Sequence, residues 1–167
     1  MDADVHAWMK KIEKAKKDGF DLSRDEDLSI ALMNLISLEE HFYFTAMKTG
    51  NEKYLDMLNT VRTVRKTLLK RIVVAPEGEE WCISKHLLAA SMRLMEVGTK
   101  ELGQQKKGEA KMFFQYAFDL YSLFWALNLK LIEPQQMEQP PVTISDHTTV
   151  MNKLSHIFKK VIDCCKE

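Results

Sequence analysis

Four prolines and six glycines are few interruptions for 167 residues, and apart from Gly98 they all fall between stretches of helical period. A chain punctuated in this way folds as helices joined by short turns, and no segment alternates as a strand would. Segment 2–18 sets Val5, Trp8, Met9, Ile12 and Ala15 on one face and stops at Gly19. Ser23 and Glu26 have the spacing of a capping box, which predicts a long second helix from about residue 24 to Lys48. Thr49 and Glu52 repeat that spacing around Gly50, so a third helix folds straight back antiparallel, carrying Leu55, Leu58, Val61, Leu68 and Ile72.

Pro76 and Gly78 break the pattern again. A fourth helix over 80–102 follows, then a polar turn, 103–108, and a fifth helix to about Ile132. Residues 133–142 hold Pro134, Pro140 and Pro141 and read as a linker. Beyond them Val150, Met151, Leu154, Ile157, Phe158 and Val161 form an apolar seam on a last helix, which must dock on its own bundle or on a partner subunit. The predicted fold is an all-α antiparallel bundle. It comprises two long helical hairpins, a short N-terminal helix and a C-terminal amphipathic helix. A core over 1–132, the linker and a final segment over 143–167 make one domain.

Two stripes contain charges where an apolar side chain is expected. Glu39 projects from an arc that runs through Leu38, Ala31, Phe42, Leu35, Leu28, Leu32 and Tyr43, and Arg65 lies between Leu58 and Tyr54, with Arg62 at the margin. With the turn centred at Gly50 and Asn51, Glu39 stands level with Arg62, and Arg65 is one turn away. A carboxylate among apolar residues needs a guanidinium, whose planar donors satisfy both of its oxygens. The expectation is a register-fixing ion pair made by Glu39 with one of the two arginines.

The fourth helix repeats Ser84, Ser91 and Gly98 every seven residues, a shallow track that lets a neighbour approach closely. That neighbour is the ring-rich fifth helix, with Phe113, Phe114, Tyr116, Phe118, Tyr121, Phe124 and Trp125. So much apolar surface on one helix has to be covered from more than one side.

Little here resembles chemistry. Glu39 and Glu40 have no histidine three residues on, as the carboxylate-bridged metal bundles require, and no phosphate loop or nucleophile elbow occurs. Cys82 and His86 share a helical face with Lys85 and Arg93, whose positive charges oppose a bound cation. No metal and no cofactor are expected. The 24 basic and 24 acidic residues cancel, so no broad cationic field draws the chain to nucleic acid, although Lys66 and Lys70 form a local strip. Cys82, Cys164 and Cys165 suit a reducing compartment, and no apolar run is long enough for a membrane span. The functional expectation is a cytoplasmic, non-catalytic interaction or scaffolding protein that self-associates. The competing readings are a ligand site or enzyme around Glu39, Arg62 and Arg65 or around Cys82 and His86, and an RNA-binding helical protein.

Overall fold

A computed structural model describes residues 3–17, 21–132 and 144–161, the side chains of residue 3 and of 144–149 excepted. The expected linker, 133–142, lies outside them, as do Cys164 and Cys165. Among the described residues six helices follow one another: α1 (Ala3–Lys17), α2 (Leu22–Thr49), α3 (Lys53–Ile72), α4 (Glu80–Gly103), α5 (Lys107–Asn128) and α6 (Ile144–Val161). Among the described residues there is no strand, and the protein is all-α.

The helix ends differ from expectation by a residue or a cap. Asp21, not Ser23, caps α2 and accepts from the Arg24 amide at 3.2 Å. Gly50 closes the other end in the left-handed region at φ 65°, its amide bonded to the Ala46 carbonyl at 2.8 Å. The expected Thr49 and Glu52 box does not form. Asn51 instead accepts from the Lys53 amide at 3.1 Å and starts α3. α5 stops at Asn128, short of Ile132, because Lys130 turns to φ 53° and the Leu131 amide reaches back to the Ala126 carbonyl at 2.8 Å.

α2 and α3 form one antiparallel hairpin, and α4 and α5 form the other. The second is closed along the predicted track. Ser91 donates to the Ala117 carbonyl at 2.7 Å, and Asn128 donates to the Ser84 hydroxyl at 3.0 Å. A Cβ on Gly98 would lie 2.7 and 2.8 Å from two ring carbons of Phe114 and 3.3 Å from the Ala110 carbonyl oxygen. Absence of a side chain is what lets the two helices touch there. Gly98→Ala gains about 1 kcal/mol of helix propensity but forces the ring or the helix aside, and we expect a net loss of roughly 1–2 kcal/mol in denaturant unfolding. A Gly98→Ala protein as stable as the wild type would show that the ring swings away freely.

The hairpins share one core. Leu32, Leu69, Leu88, Phe124 and Trp125 are fully enclosed there. α6 lies on α5 of its own chain and contributes Leu154, Ile157 and Phe158 to the same core, while α1 adds Ile12. Polar ties fix both outer helices. Lys11 donates to the Lys130 carbonyl at 2.7 Å, Lys153 pairs with Asp4 at 3.4 Å, and the Ser155 hydroxyl donates to Asp119. No helix among the described residues is long and apolar enough to cross a membrane.

The buried face of α2 matches the arc expected from its sequence only in part. Leu32 and Phe42 are buried as expected, but Leu38, Ala31 and Tyr43 are exposed, and Asp25, Glu26, Ser29 and Met33 are buried outside that arc. α2 meets α4 as well as α3: Ser29 reaches Tyr121 of α5 and Glu40 takes Arg93 of α4, while Tyr43, Phe44 and Met47 near its end are exposed.

Candidate functional site

Arg65 of α3 grips Glu39 of α2 with both prongs, Nε to Oε1 at 2.8 Å and Nη2 to Oε2 at 3.0 Å. The side chains retain 6% and 16% of their exposure, so the pair is nearly dry. Both carboxylate oxygens accept from the fork. Arg62 does not take part and stands exposed. With α2 ending at Thr49 and α3 starting at Lys53, the level partner of Glu39 falls near residue 63, between the two arginines, and Arg65 is the one whose side chain is buried.

The polar group on α4 does not converge. Cys82 and His86 are exposed with the adjacency that four residues on a helix provide, and Lys85 is half-buried. Arg93 is drawn away to Glu40 of α2, donating from Nε at 2.9 Å and also from Nη2. Among the described residues no group of histidine, cysteine and carboxylate side chains could hold a metal ion. Lys66 and Lys70 are exposed on α3, as is Arg71.

Three buried polar contacts were not apparent from the sequence. Ser29 of α2 and Tyr121 of α5 share a hydrogen bond of 2.6 Å, and Ser29 also donates to the Glu26 carbonyl. Burial pushes the Tyr121 hydroxyl above its ordinary pKa, with hydrogen bonds to Ser29 and Trp125 acting the other way. Such a phenol stays neutral and holds α2 to α5. Glu80 is almost fully buried and takes Lys130 at 2.6 Å on both oxygens and the Glu77 amide at 2.9 Å. Burial disfavours its charge, but Lys130 and the amide outweigh that effect and hold the carboxyl below its ordinary pKa. Asp119 accepts from Gln115 at 2.7 Å as well as from Ser155. The sequence signal for Ser29 was its place on the Leu22, Asp25, Leu32, Ile36 face, where a lone hydroxyl among core positions calls for a partner.

What remains open is apolar surface. Ser29, Met33, Ile36, Glu40, Tyr43, Phe44 and Met47 continue one stripe of α2, buried at its start and bare at its end. Tyr43, Phe44 and Met47 are 48%, 50% and 59% exposed, and Leu55 of α3 adds to the tip. A cleft of about 340 Å³ opens where α2 leaves α4 and α5, between Ile30, Met33, Met92, Met95 and Phe114. A second groove of about 450 Å³ runs between α5 and α6. Comparison with protein-family models, with curated proteins and with solved structures gives no match.

Proposed function

We propose that the chain is a non-catalytic interaction protein that pairs with a second copy of itself through the bare tip of the α2–α3 hairpin. The supporting observation is the stripe that is core at one end of α2 and exposed at the other. Two aromatic rings and a methionine at the tip are the side chains enriched at the centres of interfaces, and Tyr43 and Phe44 already stand edge to face with ring centroids 5.1 Å apart. Around them Lys48, Glu52, Lys53 and Asp56 mix both signs, so two copies related by a two-fold axis can set opposite charges together. The Glu39–Arg65 fork fits this role, since it stiffens the hairpin just below the tip. In this reading the setting is the reducing cytoplasm, to which an exposed free thiol at Cys82 is suited.

Light scattering over a range of concentrations tests it. Wild-type mass should rise from the 19.4 kDa of one chain toward twice that value, and the Phe44→Glu, Met47→Glu protein should stay at one chain with unchanged helicity. Both positions are at least half exposed, so the substitutions should cost under about 0.5 kcal/mol of folding stability. A wild-type mass fixed at one chain, or a variant that associates equally well, would end the proposal.

A further inference from the structure

A different surface carries an inference of its own, independent of pairing at the hairpin tip. The groove between α5 and α6 has a floor of Leu102, Phe114 and Phe118 and a rim of Lys107, Lys111 and Lys159. None of its lining residues is acidic. The Phe114 ring is seated on Gly98, and Lys159 lies over the Phe118 ring at 5.6 Å and reaches Gln115 at 3.4 Å, which fixes one side of the rim against the floor. We propose that this groove receives an acidic amphipathic helix of a partner protein, its apolar face on the phenylalanines and its carboxylates against the three lysines.

Charge complementarity selects the partner. Lys107 and Lys111 occupy the first turns of α5, where the helix dipole is positive and lysine is unfavourable. Lys106, at the cap position, provides no side-chain hydrogen bond to the first amides. Glu109 in the first turn and Glu101, paired with Lys106 at 3.0 Å, answer part of that charge, and Lys107 and Lys111 line the groove. Carboxylates on a docked helix would meet the lysines and the dipole together. The groove is an open trough rather than an enclosed cavity, so a small apolar molecule would remain half in water, whereas a helix covers the floor along its length.

The test is a display library of amphipathic helices with a leucine face and randomised flanking positions, selected on the full chain and measured by fluorescence anisotropy. Enriched flanks should be Asp and Glu, and binding should weaken steeply with salt. Lys107→Glu, Lys111→Glu should lower affinity at least tenfold while melting at or above the wild-type temperature, because glutamate suits a helix start. The Phe44→Glu, Met47→Glu protein should bind as the wild type does, which separates this site from the hairpin tip. Basic or neutral flanks would overturn the proposal, as would binding that survives in the lysine variant. Sodium laurate binding lost in that variant, with no helix selected, would also overturn it and assign the groove to a small amphiphile.

Discussion

Arg65→Ala is expected to remove about 3 kcal/mol of folding stability, the lower end for a broken buried ion pair because Glu39 keeps a little exposure. For a chain of this size that corresponds to a fall of roughly 6–12 °C in melting temperature. The loss comes less from the attraction than from what is left behind, a carboxylate whose two donors have gone and whose surroundings are apolar. Arg62→Ala is the control. It sits three residues away on the same helix with its side chain in water, and its removal should change stability by no more than about 0.5 kcal/mol. Thermal unfolding followed by circular dichroism reads both. Equal effects at the two arginines would mean that the fork does not hold in solution.

Phe158→Ala should be at least as damaging, at about 3–5 kcal/mol. Phe158 is fully enclosed with Leu154 and Ile157, and all three reach the core from a helix that follows a proline-rich segment. Removing the ring empties a space bounded by α5 and α6 that neither helix can refill without giving up the Ser155–Asp119 bond. Two readouts separate the outcomes. A docked α6 predicts a lower melting temperature together with new proteolytic cleavage within 144–161, the helix having lost its anchor. A variant that melts with the wild type and resists cleavage would show that the last helix is not held there.

Much of this architecture could be read before any coordinates, where one local pattern decides the outcome. Ser84, Ser91 and Gly98 recur at the interval of a helix seam, and small residues at that interval have few uses other than close approach. The turn at Gly50 was legible because a left-handed residue closes α2 and glycine adopts that conformation cheaply. The end of α5 was not. Lys130 and Gln105 take positive φ without being glycine or asparagine, and nothing in their identity announces it.

Faces were harder than elements. α2 packs against α4 as well as α3, so a single arc centred on Glu39 puts Leu38 inside and leaves Ser29 out. Glu39 and Arg65 were visible as misplaced charges, but counting across the turn falls between Arg62 and Arg65 and does not choose between them. Contacts across long separations left no trace of who the partner is: Ser29 and Tyr121 are 92 residues apart, and Lys159 is 44 residues from Gln115. The lysine-rimmed groove belongs to that class, since Lys107 and Lys111 read as turn and helix surface until α6 brings Lys159 beside them.

The charges inside this bundle serve one another. A double-mutant cycle on Glu39 and Arg65, with Glu39→Leu and Arg65→Met alone and combined, tests that most directly. It predicts two strongly destabilised single variants and a double variant within about 1–1.5 kcal/mol of the wild type, because an apolar pair of similar bulk needs no neutralisation. Single effects that simply add in the double variant would contradict it, and would return Glu39 to the list of side chains still in need of a ligand.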